Sequence, residues 1–214
     1  MVAFNAGGST ASTTQTVAIP TAATWPVTPT GFAPISEQAN ATGVDIKLGW
    51  TANAANATGY LLSRTGGIGT FTPVSIAGRT TVTYTDTTAV IGTTYVYSLS
   101  AVNGAAVSAP ATVSVTANTP PAAPSNLQAP SKTTVSVTLT WTNNAVPAAS
   151  GVNIDMSTNG TTWTRVTAVS GTTTTYTVTG LTTQKLYYFR VFAYKSGAVI
   201  TYSLYSPVRT VTTN

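Results

Sequence analysis

The sequence repeats itself with a spacing of 91 to 92 residues, and this repeat constrains the fold more than any other feature. Trp50 ends the run VDIKLGW, and Trp141, 91 residues later, ends the run VSVTLTW. Tyr95 in GTTYVYSLSAVN and Tyr187 in QKLYYFRVFAY are 92 residues apart. A repeat of this length indicates two homologous domains in tandem, each long enough for a β-sandwich core.

Hydrophobic and polar residues alternate inside each repeat, which is typical of half-buried strands. In VSVTLTW, for example, Val135, Val137, Leu139 and Trp141 share one face, and we expect that face to point into the core. Thr occupies 47 positions and Ser 18, and the β-branched Thr favours strands. No segment shows helical periodicity. The sequence therefore predicts an all-β chain with about seven short strands per repeat, arranged as two-sheet antiparallel sandwiches.

Further strands are predicted from the same pattern and from turn signals such as Asn103-Gly104 and Asn159-Gly160. In the first repeat they cover Tyr60–Arg64, Phe71–Ile76, Thr81–Asp86, Thr93–Val102 and Ala109–Thr116, and in the second Val152–Ser157, Thr162–Val169, Thr175–Thr179, Leu186–Tyr194 and Pro207–Thr213.

Two segments give the repeats a family resemblance. YTDTTAVIGTTYVYSLSAVN (84–103) and TYTVTGLTTQKLYYFRVFAY (175–194) resemble the same portion of fibronectin type III domains. With Trp50, Trp141, the Pro-rich run PPAAPSNLQA and the closing SLYSPVRTVTTN, the likeness covers residues 31–214. It implies that Tyr95 and Tyr187 each close a corner by hydrogen bonding back to the chain. The first repeat departs from the family pattern at Ala89, where a Leu is usual, which predicts looser packing there.

The resemblance divides the chain into a first domain (31–118), a second domain (119–214) and an N-terminal arm (1–30). Pro120, Pro121 and Pro124 between the domains favour an extended connector, so we expect the sandwiches to stand end to end as a short rod. The arm has no charged side chain and is too small for its own core. Disorder is one interpretation. The other, which we prefer, is an extended arm packed on its own domain or a neighbouring subunit, anchored by Phe4, Ile19, Trp25 and Val27.

The composition removes most catalytic chemistry. The chain contains no Cys and no His, which excludes thiol nucleophiles, imidazole bases and Cys/His zinc sites. Its four carboxylates, Glu37, Asp45, Asp86 and Asp155, are predicted on different strands. Asp86 lacks the companion oxygen ligands of a calcium site and is expected to cap a turn instead. We therefore predict no catalytic residues, no metal and no cofactor.

Positive charge is concentrated in the second domain. Residues 31–118 carry three acidic and three basic side chains, whereas residues 119–214 carry one acidic and six basic ones, which gives the whole net charge of +5. Nucleic-acid binding requires clustered cations, and these six lie on different predicted strands. No nucleic-acid partner is expected; an acidic partner or a solvated surface remains open.

One predicted strand carries an aromatic stripe. If Tyr187 and Phe189 face the core, alternation places Tyr188, Arg190, Phe192 and Tyr194 outside. Exposed aromatics beside an Arg suit contacts with a protein or with sugar rings. The alternative is ordinary cross-strand packing, with Arg190 paired to Asp155.

Localisation and function follow only as expectations. The first 20 residues show neither the basic segment nor the apolar run of a secretory signal, and no segment is long enough to span a bilayer as a helix. Our main hypothesis is a non-enzymatic structural or decoration protein of a bacteriophage virion, multimeric in its assembly. In it the arm binds other subunits and the sandwiches project as a rod that contacts host protein or glycan. The alternative is an extracellular spacer, accessory or adhesion module of a bacterial surface protein or carbohydrate-active enzyme.

Overall fold

The computed structural model describes residues 2–5, 8–11 and 25–214. Every regular element in these ranges is a β-strand, which confirms the all-β prediction. No helix capable of crossing a membrane occurs in them. β1 (Val2–Asn5) and β2 (Gly8–Ala11) pair with each other as an antiparallel ladder.

The first domain is a sandwich of two antiparallel sheets. One sheet contains β3 (Thr30–Ala39), β4 (Val44–Thr51) and β7 (Thr83–Ala89). The other has the order β10 (Ala111–Thr116), β8 (Thr94–Asn103), β5 (Gly59–Thr65), β6 (Val74–Ala77), with β9 (Ala106–Val107) also on β8. The alternating residues Val44, Ile46, Leu48 and Trp50 are buried between them, as their period of two predicts.

The second domain repeats this architecture. Its smaller sheet is β11 (Ser125–Lys132), β12 (Ser136–Thr142) and β15 (Thr175–Thr179). The larger one contains β14 (Thr164–Ser170), β13 (Gly151–Ser157), β16 (Leu186–Lys195), β17 (Ile200–Tyr202) and β18 (Arg209–Thr212). Val137, Leu139 and Trp141 lie in its core, but Val135 is 51% exposed. The expectation for Val135 is wrong because it precedes β12, in a turn closed by the bond from the Thr133 N–H to the Ser136 carbonyl.

The segment before β3 packs on the first domain. Pro26 and Pro29 are buried, and the Asn53 side chain donates to the Thr28 carbonyl at 2.9 Å. The anchor candidates Trp25 and Val27 are 46% and 59% exposed. Of the other two candidates, Phe4 is described only by its backbone in β1, and Ile19 lies outside the described residues.

A strand pair joins the two domains. β17 of the second domain pairs in parallel with β3 of the first, Thr201 opposite Glu37. One sheet of eight strands therefore runs through both domains, in the order β14-β13-β16-β17-β3-β4-β7 with β18 beside β16. The connector is thus supplemented by a hydrogen-bonded contact that the sequence did not predict.

The predicted strand Pro207–Thr213 accounts only for β18, and β17 was missed because it is three residues long.

Side-chain hydrogen bonds lie across this junction and beside it. The Gln38 amide donates to the Ser203 carbonyl. Glu37 is completely buried and accepts hydrogen bonds from the backbone and side-chain N–H groups of Asn118, at 2.8 and 3.2 Å. Burial raises the pKa of the Glu37 carboxyl, and the bonds from Asn118 oppose that rise.

Candidate interaction surface

The four residues of the predicted stripe all lie on the outer face of β16, but they are not freely exposed. Phe192 is only 4% exposed, and the Arg190 side chain is 18% exposed. Tyr188 and Tyr194 are half-buried. A Cβ at Gly151 would collide with the Tyr194 ring, whereas the Tyr188 ring lies at ordinary contact distance from Gly160.

A buried carboxylate organises the surface. Asp155 on β13 is 5% exposed and pairs with two arginines from the flanking strands. The Arg165 Nε lies 2.6 Å from one carboxylate oxygen, and the Arg190 Nε and Nη2 both lie 3.2 Å from the other. This arrangement includes the cross-strand pair of Arg190 and Asp155 that the sequence analysis gave as the alternative to an exposed stripe.

Both arginines also stack on aromatic rings. The Arg190 guanidinium carbon lies 4.3 Å from the Trp163 ring centroid and 3.6 Å from that of Tyr205. The Arg165 guanidinium lies 4.9 Å from the Phe192 ring centroid. These distances are within the range of cation–π attraction. We call the set Asp155, Trp163, Arg165, Arg190, Phe192 and Tyr205 the aromatic–arginine cluster.

The cluster extends toward the junction through ring contacts. Phe192 meets Tyr205 edge-on at 4.8 Å between centroids, and Tyr202 in the same manner at 5.7 Å. Tyr202 also lies 6.4 Å from Tyr194. Tyr202 belongs to β17, the strand that pairs with the first domain.

This arrangement is suited to packing more than to capturing a ligand. The two guanidinium groups occupy positions over ring faces that a sugar would need for stacking, and Asp155 neutralises part of their charge. The matching face of the first domain carries Val96, Ser98, Ser100 and Val102.

Sequence reasoning missed Trp163, Arg165 and Tyr205 as members of the cluster, and Tyr202 as its contact on β17. Tyr205 lies outside the regular strands, and Trp163, which the predicted strand Thr162–Val169 included, precedes β14, so alternation did not place either ring in the cluster. One feature of the cluster was in the sequence-based alternative, namely the pairing of Arg190 with Asp155. The structure places these two residues directly opposite each other in the register of β13 and β16.

The first domain has its own buried ionic group around Asp86. Asp86 accepts hydrogen bonds from the Thr88 N–H at 2.9 Å and from the Tyr97 hydroxyl at 2.7 Å, and it is ion-paired with Arg64. Arg64 also stacks on Tyr95 at 4.4 Å. Burial alone would raise the pKa of Asp86, but the hydrogen bonds from Thr88, Tyr97 and Arg64 outweigh it and hold that pKa below its ordinary value.

These contacts indicate a structural role for Asp86. The bond to Thr88 has the local geometry expected of a cap, but it lies inside β7, which runs on to Ala89. Across the described parts of the chain, no three acidic side chains come together as a metal-binding group.

The four structural residues occupy matching places in the two cores. The Val90 N–H donates to the Tyr95 hydroxyl, and the Thr182 N–H donates to the Tyr187 hydroxyl, both at 2.9 Å. Trp50 and Trp141 are both buried. The Trp141 indole donates to Asn143 at 3.0 Å, whereas the Trp50 indole N–H has no partner among the residues that the structure describes.

Comparison with known proteins gives the second sandwich a family match. Residues 122–209 match the family model of the fibronectin type III domain. The chain is 32% identical over 203 residues to exoglucanase B of Cellulomonas fimi, an alignment that covers 89% of this chain and 18% of that protein.

One solved structure supports the same fold. The chicken CNTN1 FN1–FN3 domains superpose with a TM-score of 0.53 at 16% identity, covering 89% of this chain and 68% of that one. A two-domain fibronectin type III segment of chicken tenascin gives a TM-score of 0.39 at 20% identity, covering 86% of this chain and 99% of that one. The second domain thus matches the fibronectin type III family over residues 122–209, and the tandem pair of sandwiches shares the fold of such domains.

Proposed function

We propose that this chain is a rigid, non-catalytic spacer or accessory module of a bacterial extracellular protein. The observation that carries the proposal is the parallel pairing of β17 with β3, which continues one sheet across the domain boundary. Domains joined only by a linker are expected to move relative to one another. A backbone ladder between them fixes their relative orientation, which is the property a spacer needs.

The relative supports the extracellular part of the proposal. Exoglucanase B is named for action on a glucan, and a polymeric glucan is too large to enter a cell. The chain spans 18% of that protein, a share that leaves ample length for a separate catalytic domain. The virion hypothesis stays a prediction, since the relatives described above do not bear on it.

The experiment measures the distance between the domains. The chain has no native cysteine, so spin labels attach only to cysteines introduced at the exposed residues Ser75 and Thr161, one in each domain. Double electron–electron resonance should give one narrow distance distribution.

Ile200→Pro provides the flexible reference, because proline cannot donate to a strand ladder, and Ile200→Val is its matched control. We expect a broad distribution for the proline variant and a narrow one for the valine variant. A broad distribution in the otherwise unchanged chain would refute the rigid spacer.

A further inference from the structure

We infer that the aromatic–arginine cluster is a positioning device for the inter-domain strand: it holds the segment from β17 to β18 on β16 so that β17 stays against the first domain. This inference rests on the proposed spacer function and names the residues responsible for the rigidity. None of the six cluster residues belongs to the strand pair that crosses the junction.

The segment after β17 is fastened to β16 by two serines. The Ser203 N–H donates to the Ala193 carbonyl, and the Ala193 N–H donates to the Ser203 hydroxyl, both at 2.9 Å. Ser206 makes the same pair of bonds with Val191, at 2.8 and 3.0 Å. Both serines are buried. Their hydroxyls replace the regular ladder between β17 and β18, so this stretch follows β16 without being a strand.

The tyrosines that immediately precede these serines complete the attachment. Tyr202 and Tyr205 both pack edge-on against Phe192. Arg190 covers the Tyr205 ring and is itself held by Asp155. A cation anchored on one strand thus holds a ring from the connecting segment.

The same segment reaches the first domain. Tyr202 lies opposite Gln38 in the parallel pair, and the Gln38 amide donates to the Ser203 carbonyl. Ser203 therefore contacts β16 through its hydroxyl and N–H and the first domain through its carbonyl. Displacement of the segment from β16 would move both junction contacts at once.

The first domain lacks most of the contacts that hold the β17–β18 segment on β16 in the second domain. In the first domain the corresponding region has one such serine, Ser108, whose hydroxyl accepts from the Ala101 N–H at 2.9 Å. The neighbouring outer face of β8 carries no aromatic stripe, and β9 and β10 pair only with β8 in the described residues. The aromatic stripe occurs in the domain whose final strand region contacts a neighbour.

The test uses the doubly labelled chain with substitutions that leave the junction contacts themselves intact. Tyr205→Ala removes the ring from Arg190 and Phe192, and Arg190→Ala removes the cation. We expect both to lose the narrow distance peak and to approach the Ile200→Pro distribution. Tyr205→Phe keeps the ring and should restore the peak. Tyr188→Ala, on the same face of β16 but over Gly160, is the matched control and should stay narrow.

The distance distributions of these variants distinguish the positioning role from the spacer function. Circular dichroism and thermal unfolding establish that every variant is folded, and Tyr205→Leu replaces Tyr205→Ala if the latter does not fold. Narrow peaks in Tyr205→Ala and Arg190→Ala would refute the positioning role while leaving the spacer intact. Equal broadening by Tyr188→Ala would show general loosening of the sheet and would also refute it. A broad peak in the unsubstituted chain would overturn both proposals.

Discussion

At the scale of single residues, the two buried tyrosine hydroxyls make the clearest comparison between the domains. Tyr95→Phe and Tyr187→Phe each leave a backbone N–H without its acceptor, so we expect each to lower the free energy of unfolding by about 1 to 3 kcal/mol. Urea unfolding measures the loss. Tyr176→Phe is the control, because the Tyr176 ring packs on the second core without a hydrogen bond from its hydroxyl in the described structure. Equal stability of all three variants would contradict the role of these hydroxyls.

The difference between the two tryptophan sites predicts that one substitution will stabilise the first domain. The residue two positions after Trp141 is Asn143, which accepts the indole N–H; the residue two positions after Trp50 is Ala52. We expect Ala52→Asn to raise the free energy of unfolding of the first domain by about 1 kcal/mol, because it supplies the missing acceptor. Asn143→Ala should lower that of the second domain. Calorimetry of both variants checks the pair, and a destabilising Ala52→Asn would contradict the reasoning.

Asp86 predicts the acid response of the first domain. Its pKa in the folded state is lowered by its hydrogen bonds with Thr88, Tyr97 and Arg64. A lowered carboxyl pKa contributes stability above the ordinary value of 3.8, and that stability is lost as the pH falls through the folded value. We therefore expect unfolding free energy to decline on acidification below about pH 4.

Asp86→Asn tests this response. The variant should be less stable at neutral pH by about 3 kcal/mol, because Arg64 is left buried without its partner charge. Its stability should also depend less on pH in the acid range. Asp45→Asn, which affects a carboxylate bonded to Asn40, is the control. Identical acid profiles for Asp86→Asn and the unchanged protein would refute the assignment.

At the scale of elements, the boundary of the N-terminal arm can be tested by truncation. Removing residues 1–24 leaves the described contacts of the first domain in place. Removing residues 1–29 also deletes the buried Pro26 and Pro29 and the acceptor of the Asn53 side chain. We expect the first truncation to preserve the melting temperature of the first domain and the second to lower it. Equal melting temperatures would show that residues 25–29 contribute nothing to the fold.

Strands were predictable where hydrophobic and polar residues alternate strictly, but β3 and β11, with ten and eight residues, are not among the predicted strands. In β4 and β12 the alternation is strong enough to identify the core residues, and Tyr188, Arg190, Phe192 and Tyr194 fall on the outer face of β16 as predicted. Short elements escaped prediction because their register comes from partners distant in sequence. β17 has three residues, and its partner β3 lies more than 160 residues away. Trp163 lies before β14, and Tyr205 lies between β17 and β18. Sequence periodicity does not predict the course of such connecting segments.

At the scale of the whole molecule, the chain is expected to be without hydrolytic activity. Each carboxylate in the described structure is engaged: Glu37 with Asn118, Asp45 with Asn40, Asp86 with Arg64, and Asp155 with two arginines. Incubation with soluble and insoluble glucan should release no reducing sugar, and sedimentation with insoluble glucan should not deplete the protein. Release of sugar that a single carboxylate substitution abolishes would contradict the non-catalytic assignment.

The strand pair at the domain boundary also covers two sheet edges that would otherwise be open. β17 and β3 would each be an open sheet edge if the domains separated, and open edges recruit strands from other chains. Within one molecule they cover each other. A variant that opens the boundary, such as Ile200→Pro, would expose an edge of β3 to other copies at high concentration. Self-association that rises with protein concentration is therefore the expected consequence of losing this contact, because the closed junction leaves neither strand free to pair with another chain.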